Sequence, residues 1–198
     1  MSKTAILILA AGESKRMGKP KQLLPYNDST LLSHTIQQTK SIDRSQTFVV
    51  VGAYFKEVFD SIRSQSKSIT VVINKDWEKG MGSSLSKGIE FIKKKGIYDR
   101  VLVTLSDMPL ISQEHYEALI EGSVSKAKRI IVTQYKETSG VPAVFDKSLF
   151  NELSLLVDDD GAKPLIKKYK KEVSSVITET PYFDVDTSEA YQKLIDLS

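Results

Sequence analysis

The sequence predicts an α/β protein with a mostly parallel central sheet, helices on both faces and a small β-ribbon in the C-terminal third. Three observations predict it. Apolar runs of strand length alternate with helical patterns through most of the 198 residues, the β-α-β-α order that builds a helix-covered parallel sheet. Loops rich in glycine, lysine or aspartate follow directly on those runs, at the strand ends where right-handed crossovers gather ligands. After residue 133 the rhythm changes, interrupted by Thr138-Ser139-Gly140 and Pro142.

The elements follow in order. Ala5-Ile6-Leu7-Ile8-Leu9 has the length and apolar content of a buried parallel strand. Further strands are expected at 47–52, 69–73, 100–105 and 129–133, with helices at about 30–40, 55–65, 83–95 and 112–122. Pro142-Ala143-Val144-Phe145 reads as a short strand. Its proline cannot donate to a ladder, which favours a sheet edge or a ribbon. Helices near 147–156 and 161–170, short strands near 173–177 and 182–185, and a helix from Ser188 complete the chain. No repeat, low-complexity tract or linker divides it, so one domain spanning 1–198 is expected.

Composition narrows the function classes. A hydrophobic fraction of 40% and a charged fraction of 27% describe a globular chain with enough apolar content for a core. No apolar run approaches bilayer-spanning length, and Met1-Ser2-Lys3-Thr4 runs at once into the first strand, leaving no room for a signal peptide. A cytoplasmic protein without membrane association is expected. The absence of cysteine excludes a disulfide scaffold, a thiolate metal site and a thiol nucleophile. The net charge of +3 is modest, and the lysine runs at 93–95 and 167–171 end helical patterns without interleaved aromatics. They read as solvated faces rather than a nucleic-acid platform.

The stretch Leu9-Ala10-Ala11-Gly12-Glu13-Ser14-Lys15-Arg16-Met17-Gly18-Lys19-Pro20-Lys21 carries the most information. Small residues and a glycine at a strand end let the backbone turn and approach a ligand without Cβ interference. Exposed N–H groups beside Lys15, Arg16, Lys19 and Lys21 would suit a polyphosphate, the alternative being an ordinary basic loop. Gly12 and Gly18 enclose five residues, and Pro20 follows Lys19, so this is no P-loop. A single glycine at the strand end also rules out the dinucleotide fingerprint.

The pattern L-A-A-G-x-S-x-R-M-G-x-x-K-x-L instead resembles the signature loop of the MobA-like NTP transferases, most closely the molybdenum cofactor cytidylyltransferase branch. The resemblance covers almost the whole chain and implies a three-layer, Rossmann-like nucleotidyltransferase fold. It assigns Leu9, Ala10, Ala11, Gly12, Arg16 and Lys21 to the nucleotide, with Arg16 and Lys21 also catalytic. Ala11 favours CTP, because the guanylyl branch usually has glycine there.

Two further constellations follow strands. Asn74 ends one, and Gly80-Met81-Gly82-Ser83-Ser84-Leu85 leads into an amphipathic pattern for which Ser83 is a good N-cap. The segment reads either as a capped helix after a flexible loop or, by the resemblance, as the place where Asn74, Gly82, Ser83 and Ser84 meet the nucleotide. Trp77 either caps the core or packs beside the site. Val101-Leu102-Val103-Thr104-Leu105-Ser106-Asp107-Met108-Pro109 delivers one carboxylate at a strand end, suited to Mg²⁺ shared with phosphate oxygens and water, or to capping the following turn. L-x-D-M-P matches the family's metal motif and makes Asp107 a catalytic and metal-binding candidate.

In Phe183-Asp184-Val185-Asp186-Thr187, alternation puts Asp184 and Asp186 on one side. The resemblance makes Asp186 the second metal ligand, while Asp-Thr-Ser before an apolar pattern also reads as a helix cap. Ser139-Gly140-Val141-Pro142 stands where the family usually has Arg-Gly-His-Pro, so acceptor contacts must differ here. Asp160, in the segment Asp158-Asp159-Asp160-Gly161-Ala162, is expected to cap a helix starting near Ala162.

The expected function is transfer of a nucleoside monophosphate from an NTP, CTP favoured, to a phosphorylated small-molecule acceptor. Pyrophosphate leaves and Mg²⁺ assists. The resemblance implies molybdopterin as acceptor and a molybdoenzyme client. The alternatives are a sugar-phosphate or other small-molecule-phosphate nucleotidyltransferase, or a cofactor-delivery protein without turnover. His34 and His115 fall in helical patterns away from every motif. An ionised phosphate acceptor needs no protein base, so their distance does not weaken the reading.

Overall fold

Unbroken burial from end to end marks β1 (Thr4–Ala10) as a central strand of the computed structural model, which describes residues 3–65 and 67–197. Met1 and Ser2, part of the expected leaderless start, lie outside the described residues. The side chains of β1 alternate across the sheet. Ala5, Leu7 and Leu9 join one core cluster, while Ile6, Ile8 and Ala10 join clusters on the opposite face. A strand that is apolar at every position requires this two-sided cover.

The loop after β1 leads to a two-residue hairpin, β2 (Pro25–Tyr26) and β3 (Ser29–Thr30), turning through Asn27 and Asp28 at positive φ. Thr30 then caps α1 (Leu31–Lys40) by accepting from the Ser33 N–H. β4 (Ser45–Val51), α2 (Phe55–Ser61), β5 (Ile69–Ile73), α3 (Met81–Lys95) and β6 (Arg100–Leu105) follow. After them come α4 (Gln113–Ser125), β7 (Ile130–Gln134) and β8 (Ser139–Asp146). Short helices α5 (Phe150–Leu153) and α6 (Lys163–Lys168), β9 (Val173–Ile177) and α7 (Ser188–Asp196) complete the order.

Seven strands form one sheet in the order β5-β4-β1-β6-β8-β7-β9. Every pairing is parallel except those made by β8, which runs antiparallel to both β6 and β7. Helix α3 packs on one face through Leu85, Ile89 and Ile92. The other face is covered by α1 and α2 through Leu32, Ile36, Val58 and Ile62, and by α4 through Tyr116 and Leu119. This is the three-layer, mostly parallel architecture that the alternating pattern predicts.

Three expectations need correction. The β7–β8 hairpin supplies the antiparallel ribbon, but it is built into the sheet and not at its edge. Pro142 is accommodated because the β7–β8 register breaks between Val132 and Thr133, and the β6–β8 pairing ends at Ala143. A bulge tolerates a residue that cannot donate. Residues 182–185 form no strand; their alternation instead sends Val185 into a cluster with Met17 and Leu194. Helix α3 begins at Met81 with Gly80 as its N-cap, so Ser83 lies inside the first turn.

Candidate active site

A cleft of 1420 Å³ opens where β1 and β6 end, and it continues across β8 and β7 to the wall made by α6. Ligand pockets commonly enclose about 300–1,000 Å³, so the space suits two reactants side by side. Leu9, Ala10, Ala11, Gly12, Lys21, Ser84, Asp107 and Asp186 of the predicted set line it. Arg16 stands at its rim, with a side chain 72% exposed.

The loop after β1 is held open by bonds made beneath it. Ser14 adopts the left-handed conformation at φ 59°, a 3-10 turn covers Lys15–Met17, and Gly18 ends it at φ 63°. Ser14 Oγ accepts from the Lys21 N–H at 3.1 Å. Gln22 Nε2 donates to Ala10 O at 2.9 Å and to Gly12 O at 2.8 Å, and the Ala53 N–H donates to Ala11 O. Three successive carbonyls are thereby turned into the protein. Among the described residues, no bond takes the N–H of Gly12, Glu13 or Ser14. A run of unengaged N–H groups beside cations is an anion cradle. Sequence reasoning missed Gln22, which is 1% exposed. Its only signal was a polar residue between Lys21 and Leu23 where the pattern turns apolar.

Charge converges on Lys21. Its ammonium donates to Asp107 Oδ2 at 2.5 Å and to Asp186 Oδ1 at 2.6 Å, and Arg16 reaches Asp186 Oδ2 at 3.2 Å. Residues separated by more than a hundred and sixty positions in the chain meet here. Burial alone would lower the Lys21 pKa, but the carboxylates of Asp107 and Asp186 together hold it above its ordinary value. Burial pushes the Asp107 carboxyl up, helped by Asp184 and Asp186 and opposed by Lys21. Asp186 is pushed up by burial yet ends below the usual carboxylate range, because Lys21 and Arg16 outweigh that effect. Thr187 caps α7 by accepting from the Ala190 N–H, which leaves the Asp186 carboxylate to the cations. The carboxylate of Asp184 also faces the cleft and accepts from the Tyr182 hydroxyl at 3.2 Å.

The start of α3 departs from expectation. Asn74 is 2% exposed, and its amide donates to Ser83 Oγ and Ser84 Oγ, each at 3.0 Å. The Ser83 hydroxyl lies within hydrogen-bond distance of both Asp76 O and Gly80 O, at 2.9 Å each. The Gly82 N–H donates to Asp158 O at 2.6 Å. Asn74, Gly82 and Ser83 therefore do not reach the cleft, since the chain's own bonds consume their polar groups. Trp77 does both things expected of it, lining the cleft and packing against the core. Among the described residues no side chain caps α6, whose N-cap is Ala162; Asp160 contributes its backbone carbonyl, which accepts from the Lys163 N–H.

The histidines are structural. His34 Nε2 bonds the Pro109 carbonyl at 3.1 Å, and His115 Nε2 bonds Thr133 Oγ1 at 2.9 Å. Burial lowers the pKa of both. No described helix is long and apolar enough to cross a membrane.

Known proteins resemble this chain over almost its whole length. Nicotine blue oxidoreductase of Paenarthrobacter nicotinovorans is 29% identical over 198 residues, covering 96% of this chain and 95% of its own. The purine catabolism protein PucB of Bacillus subtilis is 27% identical over 199 residues, covering 93% of this chain and 92% of its own. The crystal structure of Rv0371c from Mycobacterium tuberculosis H37Rv matches with a TM-score of 0.87 at 27% identity over 98% of each chain. A structure of Rv0371c in complex with manganese matches with a TM-score of 0.82 at 24% identity over the full length of both chains. The MobA-like NTP transferase domain matches residues 6–173. With that match across most of its length, the chain belongs to the MobA-like NTP transferase family.

Proposed function

We propose that this transferase joins a nucleoside monophosphate, CMP from CTP by preference, to the phosphate of a small acceptor, molybdopterin by resemblance, and releases pyrophosphate. One observation carries the reading. Lys21 stands between Asp107 and Asp186 beside the Gly12, Glu13 and Ser14 N–H groups, which make no bond among the described residues. Cations for a polyphosphate and hard oxygen donors for a divalent metal meet at one point.

The donor set fits a metal held jointly with substrate. Among the described residues no group of three or more metal-type side chains converges into a cage. Two carboxylates sharing the ion with phosphate oxygens and water is the mode that Mg²⁺ favours. Asp107 and Asp186 would hold the ion, and bound there it would withdraw charge from the α-phosphate. The manganese complex of Rv0371c supports a divalent metal in a similar fold.

The remaining chemistry belongs to the chain's own residues. The Gly12–Ser14 N–H groups take the triphosphate, and Lys21 exchanges a carboxylate for its oxygens. An acceptor phosphate oxygen bonds to the α-phosphorus while the bond to the β-bridging oxygen breaks, and that electron pair leaves on pyrophosphate. Arg16 and Lys21 neutralise the charge that develops there. No proton need move, because a phosphate monoester with a second pKa of about 6 is largely ionised at neutral pH. Neither His34 nor His115 lines the cleft, which is consistent with this.

A thermal-shift panel of CTP, ATP, GTP and UTP with Mg²⁺ tests the proposal, since a ligand that binds the native state raises its apparent stability. NADPH belongs in the panel because one relative bears an oxidoreductase's name. CTP is expected to give the largest shift, followed by pyrophosphate release when a phosphorylated acceptor is added. A preference for GTP would overturn the cytidylyl assignment. A shift with NADPH and none with any NTP would overturn the transfer itself.

A further inference from the structure

The lysine run at 167–171, which reads from sequence as a solvated helix end, is divided by the fold into two faces. On the outer face Lys168 donates to Glu152 Oε2 at 2.5 Å and lies over the Tyr169 ring. On the inner face Lys167 and Lys170 of the run, with Lys163 one turn before them, repeat at helical spacing and all line the cleft. Among the described residues, none of these three is paired with a carboxylate. Arg16 and Lys21 at the other end of the cleft are both so paired.

The surroundings of the three lysines are built like a binding wall. Thr138, just before β8, Ser139 at its start, and Ser174 and Ser175 in β9 line the same cleft. Val132 and Ile166 give it an apolar floor. Asp159 and Asp160 also line the space; Asp159 lies against Gly80, on the α3 side. Strand β9 lies three positions from β6 in the sheet, a lateral offset of about 14 Å at the usual strand spacing. Three like charges on one concave wall concentrate anions there.

We propose that Lys163, Lys167 and Lys170 form a distal oxyanion subsite for a second phosphate or carboxylate of the acceptor, remote from the phosphate that reacts. The acceptor's role rests on the transferase reading above, whereas the anion subsite stands on the cleft alone. An acceptor held at both places carries a second phosphate or carboxylate beyond an apolar or planar middle over Val132 and Ile166. Molybdopterin, with its single phosphate, lacks that group, so the subsite favours another phosphorylated small-molecule acceptor over molybdopterin.

Pyridoxal 5′-phosphate is the probe. Its aldehyde condenses with a lysine amine, losing water, and borohydride reduces the imine so that peptide mapping finds the site. Lys163, Lys167 or Lys170 is expected to be modified before Lys93, Lys94 and Lys95, which are likewise exposed but do not line the cleft, and inorganic phosphate or citrate is expected to protect it. Protection by phosphate alone identifies a phosphate subsite, and protection by both identifies a general oxyanion subsite. Even modification across these lysines, or protection by neither anion, would overturn the proposal. In turnover, K163E/K167E/K170E is expected to raise the acceptor KM at least tenfold, with the triple arginine variant restoring it. An unchanged KM would likewise overturn it. If no NTP shifts the wild-type melting temperature while the protected labelling persists, the transferase reading fails and the subsite stands.

Discussion

Gly12, in the loop after β1, and Gly82, in the first turn of α3 after β5, both follow parallel strands, and the fold treats them in opposite ways. A methyl group placed on Gly12 would meet nothing within 4 Å. One placed on Gly82 would lie 2.6 Å from Asp158 O and 2.8 Å from Asp158 N. Among the described residues, the first loop leaves the N–H groups of Gly12, Glu13 and Ser14 unengaged, while Gln22 and Ala53 take its carbonyls from below. The start of α3 gives its Gly82 N–H to Asp158. A glycine-rich strand end is therefore no binding site by composition alone. What matters is whether another segment of the same chain has already claimed its donors.

The sharpest break of this comparison is at the charged centre beside Gly12. Lys21→Ala and Asp107→Asn are each expected to slow nucleotidyl transfer by roughly a hundred- to a thousandfold, the scale of losing a charge aimed at the transition state. Circular dichroism should show both variants folded. Turnover near the wild-type level in both would detach the open loop from catalysis.

Alanine at the two glycines compares the regions directly. Gly82→Ala forces Asp158 away against a rigid backbone, an overpacking cost of about 1–3 kcal/mol that outweighs the roughly 1 kcal/mol helix preference of alanine. Gly12→Ala should change stability by no more than about 0.5 kcal/mol, while weakening the CTP-induced thermal shift. Denaturant melts with and without CTP read both effects. A stable Gly82→Ala protein would show that the segment at 157–161 yields easily.

Asp186 and Thr187 divide two roles that the sequence leaves overlapping. Thr187→Ala should cost about 1 kcal/mol as a lost helix cap, with no change in the metal requirement for activity. Asp186→Asn should raise that requirement with little effect on the unfolding midpoint. A reversed result would return Asp186 to the capping role.

The smallest expected effect concerns acid. Burial lowers the pKa of His34 and His115 in the folded chain, so the unfolded chain binds more protons as the pH falls through the ordinary histidine value of about 6.5. Stability is expected to be complete above that value and to decline below it. His115→Gln should flatten the decline in a pH series of denaturant melts. An unchanged slope would remove His115 as a contributor.

Much of the fold is legible locally. The apolar β1, the β-α-β-α rhythm, the cationic loop and the carboxylate ending the β6 segment are all carried by residues adjacent in sequence. Periodicity and turn chemistry act over a few residues, so the sequence by itself determined these features. The Asn27-Asp28 turn of the β2–β3 hairpin was equally local, yet its strands of two residues each are too short to carry a pattern.

Tertiary structure decided the rest, because the deciding contacts join segments far apart in the chain. Alternation at Phe183-Asp184-Val185 looks like a strand, but Val185 instead packs beside Leu194 and its N–H donates to Asp107 O. Pro142 argues for an edge, but the irregular β7–β8 register lets it sit inside the sheet. Gly82 and Ser83 look poised for a ligand until Asp158 arrives and Asn74 is buried against the serine. The lysine run looks uniform until Glu152 takes Lys168 and the cleft takes Lys167 and Lys170 beside Lys163. Burial and ion pairing between distant segments outweigh propensities of a few tenths of a kcal/mol per residue, so no local pattern encodes their outcome.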